Sequence, residues 1–131
     1  MAAERTALYD WIAENHSDVN VLINNAGIQN WMTVSDENFY QKASAVITTN
    51  FTYPVHLTNP FLGLTSLDTI INVTSGLAFV QLTKVPVYCA TKAFFHTFTN
   101  ALRYMLKARN IEVTEIIPPG IRYRSWRKWN S

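Results

Sequence analysis

Two residues that can move a proton, Tyr88 and Lys92, lie four positions apart in the sequence. On a helix this spacing places both side chains on one face. A phenol in water titrates at about pH 10, and a neighbouring ammonium group favours the phenolate and lowers that value. The pair can therefore transfer a proton near neutral pH. The same spacing is also common on solvated helix faces, so the pair alone does not establish a site.

Three further polar positions either follow an apolar run or interrupt a helical pattern. Ser75 follows the run 69–74, and its hydroxyl can orient a carbonyl or alcohol oxygen. Asn50 lies inside a helical stretch, where Asn is a poor helix former, so its amide can bind a water or bend the helix. Residues 24–27 place amides and small side chains after another apolar run. The alternatives are ordinary turns at 24–27 and Ser75 and simple exposure of Asn50.

Alternating helical and strand patterns must position these residues. Apolar residues recur at helical spacing over 3–15 and 88–107, and short buried strands are indicated at 19–23, 69–74 and 111–117. A further helix lies between the first two strands, and alternation of this kind is typical of an α/β protein with a parallel sheet covered by helices. Functional sites in such sheets lie at the carboxyl ends of the strands.

The helix between the first two strands is predicted to begin at Ser35. Its hydroxyl can cap the first amides, and the acids that follow it suit the positive end of the helix dipole. We expect this helix to continue to about Leu57, with a kink or division at Pro54, and to end by Pro60.

Composition limits the class of protein. The chain has 131 residues, 48% of them hydrophobic and 15% charged, which fits one globular domain and excludes disorder. A single cysteine, Cys89, excludes an intramolecular disulfide and a cysteine-based zinc site. There is neither a membrane-length apolar stretch nor a signal-peptide pattern, so we expect a cytoplasmic protein with no membrane partner. The net charge of +2 comes from a basic segment at 122–131, and the slightly acidic remainder gives no support to nucleic-acid binding.

The motifs together resemble the short-chain dehydrogenase/reductase family. The resemblance covers about residues 4–120 and rests on the NNAG element at 24–27, on Asn50 and Ser75, on Tyr88 and Lys92 within YCATK, and on Pro119-Gly120. The wording of VTSGLAF, PVYCATKAFFH and NFTYPVHL is similar to the branch encoded beside lipoteichoic-acid D-alanylation genes. The family's fold is a doubly wound Rossmann-type parallel sheet.

The resemblance implies an oxidoreductase that uses NAD or NADP, with no metal, and acts on a small-molecule carbonyl or secondary alcohol. Tyr88 is then the acid/base, Lys92 assists it and binds the nicotinamide ribose, Ser75 orients the substrate oxygen, and Asn50 keeps a relay water. The residues implied in cofactor binding are Asn24, Ala26, Gly27, Tyr88, Lys92, Pro118 and Gly120.

The chain departs from the family pattern at both ends. The family's TGxxxGxG loop, which cradles the cofactor pyrophosphate, has no counterpart in this sequence. We therefore predict a partial Rossmann-type domain at 1–121, comprising about strands 4–6 with their helices, and a divergent basic tail at 122–131. Cofactor binding is expected to be weak, and the alternative function is an inactive truncated fragment that pairs with a full-length relative.

The helix at 88–107 carries apolar residues on two faces, and a single sheet covers only one of them. In the family this helix contributes to a dimer interface, so we expect association with a second copy or with a full-length relative. We predict that the association surface consists of Phe95, Leu102 and Leu106. The opposite face carries Ala90, Ala93, Phe94, Ala101 and Met105.

Overall fold

The computed structural model describes residues 2–119, so the Gly120 prediction and the basic tail at 122–131 lie outside the described residues. Helices and strands alternate along the chain as the sequence predicts. The helices are α1 (Ala2–Asn15), α2 (Phe39–Ile47), α3 (Tyr53–Phe61) and α4 (Pro86–Leu106), and the strands are β1 (Val21–Asn24), β2 (Thr69–Val73) and β3 (Glu112–Ile116). The predicted α/β class is confirmed.

The three strands form one parallel sheet in the order β1-β2-β3. Asn24 at the end of β1 is in register with Asn72, and Val73 at the end of β2 is in register with Ile116. Every strand therefore points the same way, and the segments that follow the strands meet at one edge. This edge is where the candidate residues after β1 and β2 come together.

The hydrophobic core lies between the sheet and helices α3 and α4. Leu22, Ile70 and Val113, one from each strand, are buried at its centre. Side chains alternate between the two faces of a strand, which is why Leu22 is buried while its neighbour Ile23 is 58% exposed. α3 and α4 cover this core with Phe61, Leu102 and Leu106. No helix among residues 2–119 combines the length and hydropathy needed to cross a membrane.

The predicted helix start at Ser35 is wrong, because α2 begins at Phe39. The carboxylate of Asp36 accepts hydrogen bonds from the amide and the hydroxyl of Thr33, each at 3.0 Å, and the Ser35 hydroxyl lies 3.0 Å from the same Thr33 hydroxyl. These short-range bonds satisfy the polar side chains in a turn, in competition with a helix cap. Asn38 precedes the helix without a side-chain capping bond.

A π-helical segment, Thr48–Thr52, joins α2 directly to α3. Pro54 lies in the first turn of α3 and has no amide hydrogen to donate to the carbonyl four residues earlier, so a regular α-helix cannot pass through it unbroken. The break predicted at Pro54 is thus a widened turn just before the proline. Asn50 lies in this turn and is only 1% exposed.

The association surface predicted on α4 is wrong. Phe95, Leu102 and Leu106 are 2%, 3% and 4% exposed, because this is the face that packs on the chain's own core. Periodicity reveals that a helix has two apolar faces, but it does not reveal which one faces the sheet. The exposed face is the other one, where Phe94 and Met105 are 57% and 61% exposed.

Candidate active site

A cavity of about 310 Å³ opens where the strands end, beside the first turns of α4. It brings together predicted site residues from distant parts of the sequence. Those that line it are Gly27, Ser75, Tyr88, Lys92 and Pro118. Parallel strands explain this meeting, because each of them delivers its following segment to the same edge of the sheet.

Lys92 lies at the inner wall of the cavity and is 4% exposed. Its Nζ donates a hydrogen bond of 3.0 Å to the carbonyl of Val73, the last residue of β2, and lies 5.7 Å from the centre of the Tyr88 ring. Burial removes water from the ammonium group and lowers the pKa of Lys92 below its ordinary value. An ammonium group has three donors, so two further hydrogen bonds are possible besides the one to Val73.

Ser75 is fixed by contacts between the ends of β2 and β3. Its Oγ accepts a hydrogen bond of 3.1 Å from the amide of Leu77, and the side chain is 6% exposed. The neighbouring amide of Gly76 donates to the carbonyl of Pro118 at 2.9 Å, which joins the segments that follow the two strands. Since a hydroxyl is one donor and two acceptor sites, Ser75 retains an O–H that can be donated to a carbonyl oxygen.

The Asn50 side chain connects the segment after β1 to α4. Oδ1 accepts a hydrogen bond from the amide of Ile28 at 2.8 Å, and Nδ2 donates to the carbonyl of the same residue at 2.9 Å. Nδ2 also lies 3.3 Å from the hydroxyl of Thr91, which donates to the carbonyl of Tyr88 at 2.8 Å. The amide predicted to keep a relay water is thus engaged with the backbone, and that role stays a prediction.

The NNAG turn approaches Lys92 closely. A Cβ atom at Gly27 would lie 3.5 Å from the Lys92 Nζ and 3.6 Å from the Asn50 Oδ1, both ordinary van der Waals distances. A larger side chain would enter the space between this turn and Lys92. Asn24 has a different environment, because its Nδ2 donates to the Oδ1 of Asn72 at 2.9 Å within the sheet. Ala26 is exposed at the turn.

Thr91 was not among the predicted site residues, although it lies directly before Lys92. Thr91 is fully buried, and its hydroxyl joins the Asn50 amide to the backbone of Tyr88. The available signal was a hydroxyl residue at a position of α4 between the predicted proton donor and the predicted lysine. The role of Thr91 depends on its contact with Asn50, which is 41 positions away in the sequence.

The fold and the cavity define an α/β protein with a candidate site at the carboxyl edge of its parallel sheet, and comparison with known proteins shows its family. The model of the short chain dehydrogenase family matches residues 1–131, and the chain belongs to that family. It is 42% identical over 125 residues to an uncharacterized oxidoreductase of Bacillus subtilis, DltE, covering 91% of this chain and 49% of that protein. An uncharacterized oxidoreductase of Staphylococcus saprophyticus, SSP0419, is 27% identical over 117 residues, covering 88% and 50%. The family and branch indicated by the motifs are confirmed.

Solved structures agree with this assignment. A short chain dehydrogenase from Burkholderia cenocepacia in complex with NADP superposes with a TM-score of 0.76 at 28% identity, covering 87% of this chain and 50% of that one. A short chain dehydrogenase from Mycobacterium smegmatis gives a TM-score of 0.83 at 21% identity, covering 94% and 52%, which supports the fold alone. The chain thus spans about half the length of the curated relatives and solved structures that it matches.

Proposed function

We propose that the chain carries the proton-transferring part of an NAD- or NADP-dependent oxidoreductase that acts on a carbonyl or secondary alcohol. The observation that carries this proposal is that Ser75, Tyr88 and Lys92 line one cavity, although Ser75 follows β2 and the other two lie on α4. The three side chains supply a hydroxyl donor, a phenol and a buried ammonium, which is the set needed to bind an oxygen and protonate it.

The residues at this edge fit the ribose and nicotinamide end of a dinucleotide. Gly27 leaves space beside Lys92, and the Lys92 ammonium has donors in addition to the one that binds Val73. We propose that Gly27, Tyr88, Lys92 and Pro118 contact this end of the cofactor. When bound, the nicotinamide ring supplies or accepts the hydride. Whether NAD or NADP is preferred depends on contacts beyond these residues.

In this proposal each side chain acts on one oxygen atom of the substrate. The Ser75 hydroxyl donates to that oxygen and orients it, while the Tyr88 phenol gives it a proton in reduction and takes the proton back in oxidation. The Lys92 ammonium stabilises negative charge on the phenol oxygen when the proton has left. Asn50 and Thr91 keep the segment after β1 and the backbone of Tyr88 in place, so that these groups converge.

The experiment measures reduction of small ketones and aldehydes by NADH and by NADPH, with the chain alone and with the chain mixed with a longer relative. We expect Tyr88→Phe to abolish turnover while folding is retained, because the phenol supplies the proton. The matched control is Tyr104→Phe, on the same helix but 82% exposed. If Tyr88→Phe turns over within about tenfold of the parent, Tyr88 is not the acid/base. No turnover by the chain alone, with turnover in the mixture no faster than that of the longer relative alone, would favour the alternative, an inactive truncated fragment.

We also propose that the exposed face of α4 mediates association with a second copy or with a longer relative. Ala90, Phe94, Ala101 and Met105 recur at intervals of four, seven and four residues and are exposed together on one side of the helix. Phe94 is continued by the ring of Phe51, whose centre lies 5.8 Å away. An apolar stripe of this kind on a helix is suited to packing against another helix.

A further inference from the structure

His96 lies one turn after Lys92 on α4, and its imidazole contacts two of the segments that build the cavity edge. Nδ1 lies 2.6 Å and 2.8 Å from the two carboxylate oxygens of Glu115 on β3. The ring of Phe79, in the segment after β2, packs edge-on against the imidazole with ring centres 4.6 Å apart. On the helix itself, Nε2 lies 3.2 Å from the Nδ2 of Asn100. His96 thus joins α4, β3 and the segment after β2.

The Glu115 carboxylate extends this connection to the residue before Ser75. Its side chain is only 6% exposed, and Oε1 also accepts a hydrogen bond of 2.8 Å from the Thr74 hydroxyl. Thr74 is 2% exposed, and its amide donates to the carbonyl of Ile116 at 2.9 Å. A continuous set of contacts therefore runs from His96 through Glu115 to Thr74, which is bonded covalently to Ser75.

The directions of these hydrogen bonds determine where the His96 proton lies. An arginine side chain has only donors. The Nη1 of Arg103 donates to the Oδ1 of Asn100 at 2.9 Å, and its Nε donates to the carbonyl of Val113 at 3.1 Å. The Asn100 amide is thereby oriented with its NH₂ group toward the Nε2 of His96. That nitrogen must be an acceptor, so the proton is on Nδ1 and is donated to Glu115.

Protonation of Nε2 disrupts this arrangement. It would place an N–H of His96 against the NH₂ group of Asn100, with two donors facing each other. Turning the Asn100 amide over would break its hydrogen bond from Arg103 and set its NH₂ group against the guanidinium. The neutral imidazole with its proton on Nδ1 satisfies every hydrogen bond of this network.

The charged group in contact with His96 is the Glu115 carboxylate, from β3. The Arg103 guanidinium lies beyond Asn100. The segment after β2 places the uncharged ring of Phe79 against the imidazole. The orientation of the Asn100 amide is therefore the observation that assigns the Nδ1-protonated ring.

We propose that His96 and Glu115 are positioning residues of the site: a neutral imidazole protonated on Nδ1 keeps the Glu115 carboxylate on the Thr74 hydroxyl and thereby fixes Ser75. The proposal rests on the proposed function in one respect, because it takes Ser75 to be the residue that orients the substrate. Neither residue touches the substrate. The geometry that they impose is measurable without turnover.

The experiment is nitrogen-15 NMR of the uniformly labelled 131-residue chain. The imidazole nitrogens of His96 report the tautomer, and the amide of Leu77, which donates to the Ser75 Oγ, reports the position of Ser75. We expect the signature of a neutral, Nδ1-protonated ring at neutral pH. Asn100→Asp replaces the NH₂ donor by an acceptor, and we expect Nε2 to become a donor in that variant, while Nδ1 still donates to Glu115 and the Leu77 amide signal stays as in the parent.

Variants of Glu115 separate positioning from charge. Glu115→Gln keeps an acceptor for His96 and a polar group for Thr74, so the tautomer and the Leu77 signal should stay as in the parent. Glu115→Ala should free the ring and make the Leu77 amide exchange with solvent on the order of tenfold faster, the loss of about one hydrogen bond. Should that variant not fold, Thr74→Val removes only the hydroxyl and should change the Leu77 signal while the His96 tautomer persists. His16→Ala, at an exposed histidine, is the control.

An imidazolium or an Nε2-protonated ring in the parent would overturn the proposal. So would a Leu77 amide that is indifferent to both Thr74→Val and Glu115→Ala. These outcomes are separate from failure of the proposed function. An inactive chain with the expected tautomer retains the positioning network and loses the function, whereas an active chain with the wrong tautomer retains only the function.

Discussion

The Asn50 side chain binds both backbone polar groups of Ile28, accepting from its amide and donating to its carbonyl. Two residues 22 positions apart are thereby paired as neighbouring strands would be, although neither lies in the sheet. This pairing is possible because the widened turn at Thr48–Thr52 presents a buried amide toward the segment after β1.

We predict that Asn50→Ala lowers the free energy of unfolding by about 1–3 kcal/mol, because it leaves buried groups of Ile28 without partners. Asn50→Asp should be destabilised as well, since its carboxylate accepts from the Ile28 amide but cannot donate to the carbonyl. Urea denaturation measures both values. Asn59→Ala, at an exposed position of α3, is the control and should change stability by less than about 0.5 kcal/mol. A neutral Asn50→Ala would show that the pairing contributes nothing.

The lowered pKa of Lys92 predicts a pH dependence of stability. Between its value in the folded chain and its ordinary value of 10.5, the unfolded chain binds a proton that the folded chain does not. The free energy of unfolding therefore rises with pH across that window. At lower pH both states bind the proton, and the folded chain carries the whole cost of burying an ammonium group.

Lys92→Met keeps an unbranched side chain as far as Cε and removes the titrating amine. The free energy of unfolding of the parent should rise relative to that of Lys92→Met as the pH is raised from 7 to 10.5. Urea denaturation at each pH measures both values. Lys107→Met, at an exposed lysine after α4, should show no such trend. A difference that stays constant with pH, or moves in the opposite direction, would contradict the burial of the Lys92 charge.

The two faces of α4 should respond differently to charge. Phe94→Glu together with Met105→Glu should convert a dimer to a monomer with the fold intact, because both side chains are exposed. Leu102→Glu should instead unfold the chain, since a carboxylate replaces a side chain that is 3% exposed. Sedimentation and circular dichroism distinguish the two results. A dimer that survives both exposed substitutions would place the association surface elsewhere.

The space at Gly27 can be tested by size. Gly27→Ala adds a methyl group at ordinary contact distance from Lys92 and Asn50, so folding should be unchanged. Gly27→Leu projects further into the cavity and should weaken NADH or NADPH binding at least about tenfold relative to Gly27→Ala, as measured by calorimetry. Equal affinity of the two variants would show that the dinucleotide does not approach this turn.

The sequence predicted those features that depend on local patterns. Apolar β-branched runs separated by helical spacing predicted the parallel α/β sheet, and the spacing of Tyr88 and Lys92 predicted their shared side of α4. The strand-end rule then placed Ser75 at the same edge. These inferences need only the periods of helices and strands and the geometry of a parallel sheet.

The features that were missed depend on competition or on distant partners. Ser35 has the composition of a helix cap, but Asp36 and Thr33 bind each other and delay the helix to Phe39. Which of the two apolar faces of α4 packs on the core depends on how the helix crosses the sheet. The contacts of Thr91 and Asn50 depend on the widened turn before Pro54, and hydrophobic periodicity does not predict such a turn.

The hydrogen bond between Asn24 and Asn72 also restricts which sheets the chain can form. Asn72 in turn donates to the Thr99 hydroxyl of α4 at 3.1 Å, so a polar line crosses an otherwise apolar layer. If β1 slipped along β2 by one residue, Asn24 would face Ile71 or Val73, and buried amides would lose their partners at a cost of about 1–3 kcal/mol each. An all-aliphatic pair of strands would tolerate such slippage. The amide pair therefore favours one register of β1 against β2. That register fixes where the segment after β1 lies along the sheet, and so how closely Gly27 approaches Lys92.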